Sequence, residues 1–148
     1  MRNILKIFAV TVMLFGCNQN DNLSKMVIET SDGSATYYVE SALTQEEMSK
    51  GLMDRKELRA DSGMIFYTGR TQEIAMWMKD TYVPLDILFV NKDGKILWIH
   101  ENAEPLSTKL IKPEVSEPMA AVIEINAGDV AKHKIKVGDI VHHKLLEN

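Results

Sequence analysis

The segment from Met76 to Val90 constrains the fold more than any other, because it places ionisable residues between two apolar stretches of β character. Trp77, with a methionine on either side, predicts the start of a half-buried strand, since successive strand residues point to opposite faces. Pro84 fixes its own φ and has no amide donor, so the chain is expected to turn there. A second strand is then predicted from Leu85 to Val90, with Asp86 on the face opposite Leu85.

The N-terminus has the layout of a secretory signal. Arg2 and Lys6 precede a short apolar run that ends at Gly16 and Cys17. A basic end, a short apolar core and a small residue are typical of a signal peptide, and the run is too short for a stable membrane span. Its end resembles the bacterial lipobox, in which the cysteine after a small residue is lipidated. The alternative is an ordinary cleaved signal.

We therefore predict a signal peptide over residues 1–16, a lipidated cysteine and tether over residues 17–24, and a single β-rich domain over residues 25–148. Cys17 is the only cysteine, so it cannot form an internal disulfide, and its place beside the cleavage site favours an anchor over a nucleophile. The tether is predicted from its polar composition. The expected location is the bacterial cell envelope, where a membrane-anchored lipoprotein faces the periplasm or the exterior.

Length and charge limit the class of protein further. The 148 residues, 45% of them hydrophobic, are enough for one domain with its own core. Removal of residues 1–16 takes away two basic residues and no acidic one, which moves the formal net charge from −4 to −6. An acidic domain without a Lys/Arg-rich stripe argues against a nucleic-acid partner. Contact with a membrane is expected through the lipid anchor alone.

Turn and capping signals divide the first half of the domain into short elements. Residues 25–30 and 35–41 flank a Ser-Asp-Gly-Ser turn and predict a β-hairpin. Thr44 and Glu47 match a capping box, so a short helix is expected from about Gln45 to Gly51. A buried strand over residues 64–67 and a turn over residues 68–71 are expected to follow.

The second half continues the β pattern. The turn Asn91-Lys92-Asp93-Gly94 joins the Asp86 strand to a strand over residues 95–101, which is expected to be central because both of its faces are largely apolar. Three prolines make residues 102–118 a loop. Further strands are predicted over residues 119–126 and 140–146, with a short helix before Ile135. The fold class is therefore mostly β, a compact sandwich-like or barrel-like domain with one or two short helices.

Several separated motifs of the chain are distinctive. They are Gly51-Leu52-Met53-Asp54-Arg55, Gly63-Met64-Ile65-Phe66, Trp77-Met78-Lys79-Asp80-Thr81 with Pro84-Leu85-Asp86 and Phe89, Val122-Ile123-Glu124-Ile125-Asn126-Ala127-Gly128, and Gly138-Asp139. Together they resemble one family of prokaryotic proteins, the uncharacterised domain of unknown function 192. The resemblance covers about residue 25 to the C-terminus and implies a compact, mostly β domain with no established activity. The family pattern usually has Asn where this chain has Asp80, and a bulky apolar residue where it has Asp54.

Ionisable residues in apolar surroundings mark the candidate site. Such groups rarely lie inside a protein unless they are paired, so one interpretation is a set of ion pairs that fixes strand register. The other is a non-catalytic ligand-binding or assembly surface for an envelope saccharide or protein, with Trp77 as an apolar platform. The candidate binding residues are Arg55, Trp77, Lys79, Asp80, Thr81, Asp86 and Glu124.

A competing hypothesis is a hydrolase of envelope polysaccharide or peptide, in which Asp80 and either Asp86 or Glu124 form a carboxylate pair. The sequence has no nucleophile-elbow serine, phosphate-binding glycine loop or dinucleotide fingerprint, so no catalytic residue and no cofactor is assigned. The histidines lack zinc-like spacing. The methionines near Trp77 favour core packing over Cu(I) ligation, so no metal is predicted.

Overall fold

A computed structural model describes residues 23–147, so the predicted signal peptide, Cys17 and most of the tether lie outside the described residues. Within that range, no helix is long and apolar enough to cross a membrane. The fold is mostly β with two short helices, as predicted. Its elements are β1 Leu23–Thr30, β2 Gly33–Ala42, α1 Gln45–Lys50, β3 Ser62–Gln72, β4 Leu85–Val90, β5 Ile96–Ala103, β6 Met119–Asn126, α2 Asp129–His133 and β7 Ile140–His142.

The seven strands form one curled sheet in the order β5-β4-β6-β3-β2-β1-β7. β2 and β3 pair in parallel, and the other neighbouring strands pair antiparallel. An isolated bridge between Lys95 and Ile140 joins the β4–β5 turn to β7. The Ile96 amide also donates to the Asp139 carbonyl at 2.9 Å, so the two ends of the strand order approach each other and the sheet curls into a half-barrel.

Both faces of the sheet are apolar, and each carries its own cluster. The first cluster includes Ile65, Leu88 and Ile123, and α2 adds Val130 to it. The second cluster covers the opposite face. β4 contributes to both clusters by strict alternation, as its sequence predicts. The second cluster contains Ala42, Leu52, Met64, Phe66, Met78, Val83, Leu85, Ile87, Phe89, Leu97, Ala103, Ile111, Met119 and Val122.

Helix α1 rests above the second cluster without burying any of its own residues. Its capping box is present: Thr44 Oγ1 accepts from the Glu47 amide at 3.2 Å, and the Glu47 carboxylate accepts from the Thr44 amide at 2.9 Å. The helix ends at Gly51, whose φ of 47° is unfavourable for a residue with a side chain. A Cβ atom there would also lie 3.1 Å from the Phe66 ring. Glycine therefore lets the chain leave the helix close against the sheet.

Two predictions of regular structure were wrong. The expected turn over residues 68–71 lies inside β3, where the pairing with β6 shifts register between Tyr67 and Gln72 and Gly69 adopts a φ of 70°. The Trp77 segment is a loop whose only bridge joins Met76 to Ile111. Its neighbour is the proline-containing loop rather than another strand, so no extended ladder forms there.

The strand over residues 95–101 was also placed wrongly. β5 stands at one end of the strand order, although the prediction made it central. Its first residues are buried because the turn before β7 hydrogen bonds to Ile96 and covers them. The last strand is shorter than expected and ends at His142, with His143 buried and His142 exposed on the other side.

Candidate functional site

The site begins with a row of four side chains across the middle of the sheet. Glu40 on β2 pairs in register with Met64 on β3, Met64 with Glu124 on β6, and Glu124 with Ile87 on β4. Residues that are directly opposite in neighbouring strands point to the same face, so all four face the second cluster. Two carboxylates thus lie on the face of the second cluster, and the same row continues to His100 on β5, which is opposite Ile87.

Glu124 is the buried member of that pair, with 4% of its surface exposed. Among residues 23–147, its carboxyl group has neither a hydrogen bond nor an ion pair. Burial raises the pKa of Glu124 to about 8, and the positive charge of Arg55 opposes this rise only in part. The carboxyl group is therefore mostly protonated at neutral pH, because removal from water disfavours its charged form.

A pocket of about 210 Å³ opens onto Glu124. It lies between α1 with its following turn, the sheet face and the loop that carries Trp77. Its walls are mainly apolar, which is typical of small-molecule and side-chain binding pockets. The lining residues are Met48, Ser49, Lys50, Gly51, Leu52, Met53, Phe66, Ala75, Met76, Trp77, Thr81 and Glu124.

Backbone hydrogen bonds hold the Trp77 loop over this pocket. The Met78 amide donates to the Ser107 carbonyl at 3.0 Å, and the Leu106 amide donates to the Thr81 carbonyl at 3.0 Å. On the other side, the Asp54 amide donates to the Asp80 carbonyl at 2.8 Å, which joins the loop to the turn after α1. Three loops therefore fix one another at the rim of the pocket.

Thr81 and Trp77 differ in exposure at that rim. Thr81 is buried and its hydroxyl donates to the Lys79 carbonyl at 3.1 Å, which tightens the loop. Trp77 is 44% exposed. The Nζ of Lys79 lies 5.5 Å from the centroid of the Trp77 ring, within range of a cation–π contact. Lys79 and Asp80 are exposed, and neither lines the Glu124 pocket.

Arg55 lies beside the row and is paired with Glu40. Its two terminal nitrogens donate to the two carboxylate oxygens of Glu40 at 2.5 and 2.7 Å, a bidentate arrangement. The pair lines a larger neighbouring cavity of about 920 Å³ that also includes Lys144. Because Glu40 already neutralises Arg55, the guanidinium reaches Glu124 only as a distant charge.

Asp86 does not belong to this site. It pairs in register with Ile125 of the first cluster, so its side chain points to the face opposite Glu124. Its carboxylate accepts from the Asn102 amide and from the Val130 amide, both at 2.9 Å. The second bond caps α2, whose own N-cap residue, Gly128, has no side chain. Asp86 is therefore a structural residue.

The structure thus brings Glu124, Trp77 and Thr81 together at one pocket and places Arg55 beside it. Sequence reasoning missed Glu40 and Phe66. The alternation of β2 does put Glu40 on one face with Ala42, but its neighbours depend on the parallel pairing of β2 with β3, which has no local signal. Within residues 23–147, no three His, Cys, Asp or Glu side chains are grouped closely enough to hold a metal ion.

The protein is therefore a compact, mostly β domain, a half-barrel with a pocket on one face of its sheet. The profile of the DUF192 family, described as "Uncharacterized ACR", matches residues 26–143. The chain belongs to this family, as the resemblance of its motifs implied. No curated protein sequence matches it.

Two solved structures are similar over most of the chain. One, from Sinorhizobium meliloti 1021, is described as a candidate transcription regulator; it is 40% identical, covers 80% of this chain and 92% of its own, and superimposes with a TM-score of 0.77. The other, from Novosphingobium aromaticivorans, is a protein of unknown function; it is 36% identical, covers 81% of this chain and 84% of its own, and also has a TM-score of 0.77.

Proposed function

We propose that this protein is a lipid-anchored domain of the bacterial envelope that binds a protein or peptide partner, without catalysis, at the Glu124 pocket and its rim. The observation that carries the proposal is Glu124, a residue only 4% exposed whose side chain lines an open apolar pocket and receives no hydrogen bond from any described residue. A guest that hydrogen bonds to this carboxyl group inside the pocket would therefore gain from the contact.

The rim of the pocket supports a macromolecular partner. Large apolar side chains are exposed on two loops that are hydrogen bonded to each other: Trp77 and Tyr82 on one, Leu106 and Leu110 on the other. Aromatic and aliphatic side chains around a pocket are typical of protein interfaces. Exposed leucines favour a peptide over a saccharide, since sugars pack against flat aromatic rings and leave aliphatic surface uncovered.

The envelope part of the proposal rests on the N-terminal sequence. Cys17 follows Gly16 at the end of the apolar run and precedes β1 by a short polar segment. A lipid on Cys17 would hold the pocket close to the membrane, where the partner would also be found. Replacing Cys17 with Ser should abolish incorporation of radiolabelled palmitate and release the protein from membranes. Unlabelled wild-type protein would contradict the anchor.

The geometry gives less support to the other candidates. A hydrolase using Asp80 with Asp86 or Glu124 needs two carboxylates at one cleft, but Asp86 is engaged by backbone amides on the other face and Asp80 does not line the pocket. The similarity to a candidate transcription regulator brings no DNA-binding feature with it, because this chain is acidic and has no basic stripe.

The test is capture of envelope proteins from membrane extracts of the native host on immobilised full-length protein. Trp77→Ala should abolish retention of at least one partner, whereas Tyr38→Ala should not. Tyr38 is a matched control because it is 43% exposed, close to the value for Trp77, and lines none of the three pockets near α1. Identical capture profiles for the wild-type protein and both variants would contradict the proposed function.

A further inference from the structure

The Glu124 pocket has an apolar wall and one acidic end, and this asymmetry identifies the kind of guest that fits it. We infer that the pocket binds a protonated alkylamine, such as a lysine-type side chain of the partner, with the ammonium group at Glu124 and the methylene stem along the apolar wall. The inference rests on the proposed binding function and deepens it.

The first argument is that the nearby cations already have partners. Lys50, which lines the pocket from α1, is paired with Asp54. Arg55 is held by both oxygens of Glu40. The ammonium of Lys79 lies over the Trp77 ring.

The strands beside Glu124 add no charge at this place. β3 presents Met64 and β4 presents Ile87 opposite the carboxyl group. The two charges of the Arg55–Glu40 pair cancel, so an ionised Glu124 has no neutralising cation among these residues. A guest cation would supply that charge.

The second argument is the shape and chemistry of the pocket. Its volume of about 210 Å³ has room for about seven water-sized groups, enough for an ammonium group on a stem of four or five carbons. Met48, Met53, Met76 and Phe66 line it, and flexible thioethers adapt well to a methylene chain. An ammonium group is compact and carries three donors, so it can satisfy a carboxylate in a narrow pocket.

An anionic guest is disfavoured for the same reasons. It would meet Glu124, while the cations at the pocket wall and rim, Lys50, Arg55 and Lys79, already have partners. A neutral guest could hydrogen bond to the carboxyl group but would not correct the charge imbalance. The charged and neutral alternatives can be separated with two ligands of the same shape.

The experiment compares n-butylammonium with 1-butanol on the full-length protein in non-ionic detergent, using the indole N–H resonance of Trp77 to follow binding by NMR. The ammonium stays protonated across the range because amines of this type titrate near pH 10. Since the pKa of Glu124 is about 8, the ionised fraction of the carboxyl group grows roughly 50-fold between pH 6 and pH 8, and the affinity for n-butylammonium should rise by that factor. The affinity for 1-butanol should stay flat or fall.

Two variants locate the effect. Glu124→Gln should abolish both the preference for the cation and its pH dependence. Glu101→Gln should preserve both, because Glu101 is an exposed glutamate of β5 that lines none of the three pockets near α1. The wild-type comparison of the two ligands needs no variant, so it stands even if Glu124→Gln does not fold. Equal affinity for the two ligands, a flat pH profile, or no saturable binding of n-butylammonium would overturn the inference.

The outcome is distinguishable from failure of the proposed function. If Trp77→Ala abolishes capture of an envelope partner but n-butylammonium does not bind, the binding function stands and the alkylamine assignment is wrong. If n-butylammonium binds with the expected pH dependence but no partner depends on Trp77, the pocket chemistry stands and the proposed partner is wrong.

Discussion

Asp86 and Glu124 are both buried carboxylates on neighbouring, hydrogen-bonded strands, yet they have opposite surroundings. Asp86 is 0% exposed and accepts from two backbone amides, one in β5 and one in α2. Glu124 is nearly as buried, but no described residue hydrogen bonds to its carboxyl group, and its side chain lines a pocket. Burial alone therefore does not mark a functional carboxylate. Asp86 receives hydrogen bonds from its own fold, whereas Glu124 lines an open pocket, and these two features together separate the structural residue from the candidate site.

The substitution expected to change stability most is Asp86→Asn. The amide cannot accept from both backbone N–H groups and would turn its own donor toward one of them, so two bonds to a charged group are weakened in a buried place. The free energy of unfolding should fall by about 4 kcal/mol, as expected for breaking a buried charged hydrogen-bond network. Urea denaturation at pH 7 would measure it. A change within the experimental error would mean that Asp86 is not a structural residue.

Glu124→Gln should behave differently, through the pH dependence of stability. The pKa of Glu124 is raised from its ordinary value of 4.5 to about 8 in the folded protein, so its contribution to stability is present at low pH and is lost as the pH rises through 8. The free energy of unfolding of the wild type should therefore fall by about 3 kcal/mol between pH 5 and pH 8. The Glu124→Gln variant has no such loss, so its free energy of unfolding should increase relative to that of the wild type as the pH rises. Parallel pH profiles from urea denaturation would contradict it.

Arg55→Met should have a smaller effect on stability, with an informative effect on Glu124. The Arg55–Glu40 pair is about one third exposed, so its loss should cost below about 1 kcal/mol of unfolding free energy. Because the Arg55 charge lowers the pKa of Glu124, its removal should raise that pKa further. NMR titration of the labelled Glu124 carboxyl carbon would measure the change. A lower pKa in Arg55→Met than in the wild type would show that Arg55 does not act on Glu124 by its charge.

Trp77→Ala should change stability least. The side chain is 44% exposed and lies on a loop outside the sheet, so the free energy of unfolding should change by less than about 1 kcal/mol. Thermal unfolding followed by circular dichroism would check this. A large drop in melting temperature would place Trp77 in the core and would remove it as a selective probe of binding.

Much of the fold could be predicted from the sequence, where the signal is local. The hairpin of β1 and β2, the capping box at Thr44, the turn at Asn91 and the alternation of β4 each depend on residues close together in the chain. β3 and β5 were predicted less well. The register shift within β3 and the place of β5 at the end of the strand order depend on distant partners.

The sequence by itself determined that this chain folds as a small β domain with carboxylates among apolar strand residues, because side-chain alternation and turn chemistry act over a few residues. Only the tertiary structure decided which carboxylate is satisfied and which is not. The pairing of β4 with β6 sends Asp86 and Glu124 to opposite faces. On one face α2 supplies an amide to Asp86, and on the other Glu40 pairs with Arg55, whose charge acts on Glu124. Hydrogen-bond satisfaction in a buried place depends on groups that are far apart in sequence, so only the folded chain determines it.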